Sequence, residues 1–353
     1  MKCIHCARDA KLKERVTGTC PGCGKRFVFE PRSGDLFTDM GFQAAISRVS
    51  GNGTVKFSAA NLFYEVKRVT RSRKGPAVGL ALGSAFSASL LLSGSYLGGL
   101  ICLSISGLGL FMLRYAGNPF ETLSFSSFEG ALAKWRSVNG DPPGLLVPAR
   151  LPGQASAELQ AELESYSFDR AVITDMAETA DLLLANDFHF ENNCAVLSID
   201  GSPAYAFETV RRMLRKNPRI EVFALHDCTV QGCSLAWKLR NDEQWFKGFE
   251  KVYDVALRPA QTPALKRFWE RVPEEAMHPG ISATEAQWLR KWSVSLAALR
   301  PEQLIKRLYR AMQAKEALSA GNAEGGEGDG GGSDLAFTST DASASDGGAD
   351  SFG

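Results

Sequence analysis

Residues 75 to 113 form a run of thirty-nine positions without one Asp, Glu, Lys, Arg or His, and this run constrains the fold more than any other feature. A soluble core segment of ordinary length has no need of it, whereas a bilayer core about 30 Å thick does. One helix of that length would rise about 58 Å, so two helices of about seventeen residues, broken near Gly94 to Gly99, fit better. Lys67, Arg68, Arg71, Arg73 and Lys74 precede the run, Arg114 follows it, and the turn carries no charge. The positive-inside bias then places both ends in the cytoplasm. A single tilted helix, a re-entrant pair and a hairpin buried in a larger assembly are the alternatives. The many Gly, Ala and Ser residues would allow close helix packing or association of copies. The chain opens on Lys2, Cys3 and His5 with no leading apolar region, so the expected segment is an internal anchor and not a cleaved leader.

Cysteine spacing gives the second constraint. Cys3-x2-Cys6 and Cys20-x2-Cys23 are paired knuckles within twenty-one residues, the spacing of a zinc site with four thiolate ligands. Gly22 and Gly24 relieve the second turn sterically. A closed site of this kind supplies folding energy and leaves no coordination position for a substrate, so it is expected to be structural. A disulfide pair or a redox dithiol is the competing reading, and His5 is read as a bystander. The motif resembles a zinc ribbon, a module that serves nucleic-acid binding in some proteins and protein contacts in others.

Charge is unevenly distributed. The formal net charge is +1, but residues 321 to 353 hold seven carboxylates and no Lys or Arg, leaving the rest of the chain about eight charges positive. That balance suits a neighbour of anionic lipid or nucleic acid, and it is also common on plain solvated surfaces. The Gly-, Ser- and Asp-rich end itself has too few apolar residues to build a core and reads as a disordered acidic tail.

Between residues 156 and 260 three apolar runs each end at an acid and are followed by a helical pattern. Ala171 to Thr174 ends at Asp175, Ala195 to Ile199 at Asp200, and Ile220 to Leu225 at His226 and Asp227. Strand-then-helix units in series predict a parallel sheet covered by helices, with Val252 to Leu257 as a further strand. Ligands in open parallel sheets gather beyond the carboxyl ends of strands, which makes Asp175, Asp200, Asp227 and His226 the candidate catalytic residues. Asp and Gly also end strands as ordinary turn and cap residues. Cys194, Cys228 and Cys233 read as small buried apolar residues, and Arg211, Arg212, Arg215 and Lys216 as either a phosphate-tracking face or a soluble one.

Leu225-His226-Asp227-Cys228-Thr229-Val230-Gln231-Gly232, with Asp175 in the place of an earlier strand-end acid, resembles the Toprim domain of topoisomerases, primases and related nucleases. The chain departs from that pattern in having Asp for the first acid, normally Glu, and Thr229 for the second Asp of the pair. The resemblance implies a magnesium ion held by Asp175 and Asp227, weakened by the neutral Thr229 oxygen, with catalysis as readily lost as kept. The stretch Ser58 to Lys67 also resembles the tyrosine-bearing helix of the topoisomerase VI A-subunit family, although Ala60 and Asn61 stand where that family has an Arg. Tyr64 is accordingly expected to pack and not to act as a nucleophile.

The expected architecture is a multidomain α/β membrane protein: a zinc ribbon at 1–30, a small helical or winged unit at 31–74, and a transmembrane hairpin at 75–113. A connector at 114–155, a degenerate Toprim-like α/β domain at 156–260, a helical region at 261–320 and the tail at 321–353 follow. Leu265, Phe268 and Trp269, then Trp288, Leu289 and Trp292, mark packing faces in the helical region. The function expected is a membrane-anchored binding or assembly protein facing the cytoplasm from a bacterial inner membrane. Its expected cofactors are structural Zn2+ and, at the acids, Mg2+; its expected partners are the lipid bilayer, other copies or a membrane complex, and nucleic acid or nucleotide. The alternative is a magnesium-dependent nuclease or other phosphodiester-processing enzyme.

Overall fold

The computed structural model describes residues 1–15, 17–31, 34–68, 123–146, 168–217, 219–249, 251–273 and 275–321. They divide into two units, one from residues 1–44 and the described part of 66–140, the other from 45–65 and the described part of 141–344. Two helices, α1 (Asp39–Val49) and α2 (Ala59–Arg68), run across the division.

In the first unit α3 (Phe125–Asn139) starts at Ser124, whose hydroxyl accepts from the Ser127 amide. Its stripe of Phe128, Leu132 and Trp135 is buried, as expected of apolar residues three or four apart. The Phe42 ring meets Trp135 at 4.9 Å and Phe29 at 5.2 Å. Asp39 is buried beside them, and both the Val28 and Phe29 amides donate to its carboxylate at 2.9–3.1 Å. Burial pushes the Asp39 pKa up while those two amides pull against it.

The second unit is built on a four-stranded sheet of β1 (Arg170–Thr174), β2 (Cys194–Ser198), β3 (Glu221–Leu225) and β4 (Val252–Ala256). Every pairing is parallel, in the order β2-β1-β3-β4. The middles of the central strands are continuous apolar runs because helices cover both faces. Ala171, Val172 and Ile173 of β1 and Val222, Phe223 and Ala224 of β3 are all fully buried. Helix α4 (Ala177–Ala185) follows β1, α5 (Phe207–Lys216) follows β2 and α6 (Leu235–Asn241) follows β3. Strand order reverses between β1 and β3, so the two connections leave the sheet in opposite directions and open a crevice above their carboxyl ends.

The C-terminal part of this unit holds a two-residue ribbon of β5 (Glu270–Arg271) and β6 (Trp292–Ser293), with α7 (Ala283–Leu289) between them and α8 (Pro301–Gly321) after them. Buried Glu65 accepts from Arg48 at 3.0 Å and from Arg300 at 2.8 and 3.0 Å. Asn61 accepts from the Ser58 amide and donates to the carbonyls of Ala297 and Leu299. These bonds tie α2 to the segment leading into α8.

The expected fold class and location need correction. Among the described residues no helix is long and apolar enough to cross a membrane. Helix α8 has the length, twenty-one residues, but carries Glu302, Lys306, Arg307 and Arg310 and so lacks the apolarity. The charge-free run at 75–113 lies outside the described residues, as do 114–122 and 147–155 of the connector and the tail from residue 322 onward. A membrane protein with a transmembrane hairpin and two spans in a bacterial inner membrane is therefore not supported.

Candidate functional site

Two knuckle turns of the same design bring the N-terminal cysteines together. The Cys3 amide donates to the Arg8 carbonyl and Ala7 back to Cys3; the Cys20 amide donates to Lys25 and Gly24 back to Cys20. Each turn aims an amide at sulfur, His5 at Cys3 Sγ and Gly22 at Cys20 Sγ, both at 3.4 Å. Cys3 Sγ lies 3.7 Å from Cys23 Sγ and Cys6 Sγ lies 3.6 Å from Cys20 Sγ. All four sulfurs fall within 4.8 Å of one another and can hold a metal ion. The Gly22 amide, then that of Cys23, pulls the Cys20 thiol down to about 6. Amide donation of this kind favours the thiolate that a metal requires.

The second candidate site lies at the reversal of strand order. Asp175 is the residue after β1, and its amide continues the ladder to the Leu225 carbonyl at 3.3 Å. Asp227 is the second residue after β3, and its amide donates to Asp175 Oδ2 at 2.9 Å. Adjacent parallel strands thus bring these two acids together. Gly232 makes the approach possible: a Cβ there would drive into the Asp227 carbonyl oxygen and come within 2.9 Å of Asp175 Oδ2. The contacts of the Asp227 carboxylate come from far along the chain, with the Leu296 amide at 2.7 Å and Ser295 Oγ at 3.3 Å, both on Oδ1. Asp175 Oδ1 is buried with no hydrogen-bond partner.

Electrostatics follow from that crowding. Burial, then the charge of Asp227, pushes Asp175 up to about 7. Burial also raises Asp227, against the pull of the Leu296 amide and Ser295. Two carboxyls held this closely resist double ionisation, and a cation would relieve them. Beside Asp227 is a pocket of about 40 Å3 whose polar lining also includes Glu178, Ser58, Asn61 and Ser295. That volume suits a few waters or an ion.

The remaining sequence candidates do not converge on the pair. Asp200 is exposed, and its amide donates to Ser198 Oγ. Among the described residues only the four cysteines form a group of three or more ligands close enough for one ion, so Asp175, Asp200 and Asp227 do not make a three-acid centre. His226 is fully buried and faces the other way, with Nδ1 2.8 Å from the Asp227 carbonyl and Nε2 3.0 Å from Asp254 Oδ1. Both neighbours are acceptors, so both ring nitrogens carry protons. Burial opposes that charge, but the Asp254 carboxylate outweighs it and raises His226 to about 9. Asp254 in turn binds Arg258, whose other arm reaches Glu285 at 3.2 Å. His226 is thus an internal cation in a structural relay. Thr229 caps the one-turn helix Val230–Cys233 through a bond from the Gly232 amide at 2.9 Å. Cys194, Cys228 and Cys233 are buried.

Tyr64 is buried and donates to Glu270 Oε1 at 3.1 Å, with its ring edge-on to Phe268. Burial and the Glu270 charge raise its pKa, which opposes a phenolate nucleophile. On α5, Arg211 pairs with Glu208 at 2.8 Å and lies over the Phe207 and Trp245 rings, while Arg215 and Lys216 are exposed.

Sequence reading missed Ser295, the Leu296 amide, Asp254 and Glu178. Asp254 carried a signal, an acid inside an apolar strand run that needs a partner. The Leu296 amide carried none, because any non-proline residue has one. The fold and its sites define a parallel α/β sheet unit with an acidic pair at the reversal of strand order, in one chain with a cluster of four cysteines close enough to hold a metal ion. No protein-family model matches the chain, and searches of curated proteins and of solved structures return no match.

Proposed function

We propose that the sheet unit is a binding module for a phosphate-bearing ligand, nucleotide or nucleic acid, assisted by a weakly held magnesium ion at Asp175 and Asp227. The carrying observation is the side-by-side placement of these acids, with one Asp175 oxygen on the Asp227 amide and the other buried and unpartnered. Magnesium takes oxygen ligands, keeps several waters and commonly uses one or two carboxylates plus phosphate oxygens. When bound, the ion would neutralise the pair and polarise a phosphate oxygen. Binding rather than turnover fits the rest of the site, because Thr229 Oγ1 serves a helix cap and Asp200 stands apart. Phosphodiester cleavage is the weaker reading on the same grounds. In calorimetric titration magnesium should bind the wild-type chain with a millimolar-range constant, and Asp227→Asn should abolish the heat without lowering the melting temperature. Equal magnesium binding by both proteins would refute the assignment.

The N-terminal cluster is read as a structural zinc site. Zinc–sulfur bonds of about 2.3 Å in a tetrahedron require sulfurs about 3.8 Å apart, close to the 3.6 and 3.7 Å separations found. Metal analysis should return one zinc per chain.

A further inference from the structure

The acidic pair is linked by a short piece of chain to an aromatic cluster for which the metal-assisted reading has no use. Trp269, Trp288 and Trp292 are all half-buried. The Trp269 ring meets Trp288 at 5.2 Å, almost perpendicular, and Trp292 at 5.9 Å. In the ribbon Arg271 pairs with Trp292, so the two side chains share a face, and the guanidinium lies 5.5 Å from the indole centroid. Arg290 and Lys291, the two residues joining α7 to β6, are exposed, as is Arg271.

Two nearby acids are engaged elsewhere. Glu270 accepts from Tyr64, and Glu285 is held by Arg258 and by the Ser282 amide and hydroxyl. A cationic ligand is disfavoured because Arg271, beside Trp292, and two more cations flank the cluster and would repel it. A bare polyanion would use the charges but leave the partly open indoles without a role. A ligand combining regularly spaced negative charge with flat aromatic groups uses both. The segment Trp292–Leu296 leads straight from this face to the acidic pair, since Ser295 and Leu296 hold Asp227. Trp292 and Ser295 are three positions apart, at most about 10 Å of chain.

We propose that the Trp269, Trp288 and Trp292 face, with Arg271, Arg290 and Lys291, binds single-stranded nucleic acid, its bases against the indoles and its phosphates on the cations. The proposal shares with the magnesium reading only the class of ligand, and it needs no metal.

The test is fluorescence anisotropy of a fluorescein-labelled twelve-nucleotide oligo-dT with the full-length, zinc-loaded chain, without added magnesium, from 50 to 200 mM salt. Wild type should bind at 50 mM salt, more tightly than it binds a duplex of the same length. Arg271→Gln, Arg290→Gln and Lys291→Gln combined should weaken binding at least about tenfold and lower the salt slope by about two, near 0.7 per lost phosphate contact. Trp292→Leu keeps an apolar filler but removes a stacking face, and should weaken binding roughly five- to a hundredfold. Circular dichroism of each variant guards against unfolding; if Trp292→Leu unfolds, the exposed-charge variant decides. Absence of binding by wild type, tighter binding of duplex, or unchanged affinity in the folded charge variant overturns the proposal. Failure here leaves the magnesium titration untouched, and failure of that titration leaves this binding in place.

Discussion

Replacing Gly232 by Ala tests the close packing on which the acidic pair depends. A Cβ at this position would strike the Asp227 carbonyl oxygen far inside contact distance and also reach Asp175 Oδ2 at 2.9 Å and Thr229 Oγ1 at 3.0 Å. The first obstacle is a backbone carbonyl held by the Thr229 amide at 2.9 Å and by His226 Nδ1 at 2.8 Å, so it cannot rotate away as a long side chain would. Overpacking of a well-filled site costs about 1–3 kcal/mol, and the rigid obstacle puts this case near the upper end. Helix propensity offsets up to about 1 kcal/mol of that. A net loss of about 2 kcal/mol corresponds to roughly 4–8 °C in melting temperature for a unit of this size. Thermal unfolding followed by fluorescence reports on the unit directly, because Trp237 and Trp245 belong to it. Asp175→Ala removes the 2.9 Å obstacle but not the carbonyl, and should not rescue Gly232→Ala. A Gly232→Ala protein melting within about 1 °C of wild type would refute the packing argument, as would full rescue by Asp175→Ala.

Three further outcomes are expected. Asp175 stays protonated in the folded chain up to about 7 against an ordinary 3.8, so the folded state holds the extra proton between those values and stability falls as pH rises through them, by at most about 4 kcal/mol. Asp175→Asn should flatten that fall, which denaturation midpoints at pH 5 and pH 8 without added divalent ion will show; an unchanged difference counts against the crowded pair. Cys20→Ser should lower zinc content below one ion per chain and open the N-terminal segment to proteolysis while leaving the melting of the sheet unit within about 1 °C, and full zinc retention would contradict the four-cysteine site. Gly130 is exposed within α3, and a methyl added there would meet no atom within 4 Å; Ala at this position should raise stability in urea denaturation by about 0.5–1 kcal/mol, and a loss would mean the position is packed.

Features carried by short range were legible in the residues. Each Cys-x2-Cys knuckle is closed by amides within its own turn, so spacing alone anticipated the four-sulfur cluster. The central strands were legible because a parallel strand buried on both faces is largely a continuous apolar run, as Ala171 to Ile173 and Val222 to Leu225 are. A strand ending at an acid marked Asp175 and Asp227 as worth following.

Tertiary structure decided which of those acids share a site. Asp175, Asp200 and Asp227 all follow strands, but only β1 and β3 are neighbours on the side where the connections part, and Asp200 on the outer strand faces solvent. His226 looked like part of the same constellation because it adjoins Asp227, yet alternation along an extended chain turns neighbouring side chains to opposite faces, and it meets Asp254 instead. Hydropathy, read without the fold, led to a membrane hairpin and a location that the described helices do not support. Local sequence therefore determined the turns, the cysteine knuckles and the apolar strands, because spacing and burial pattern are written into each segment itself. The environment of Asp227, set by an amide sixty-nine residues away, arises only when the chain is folded, because no local pattern encodes a contact made by a backbone group that nearly every residue possesses.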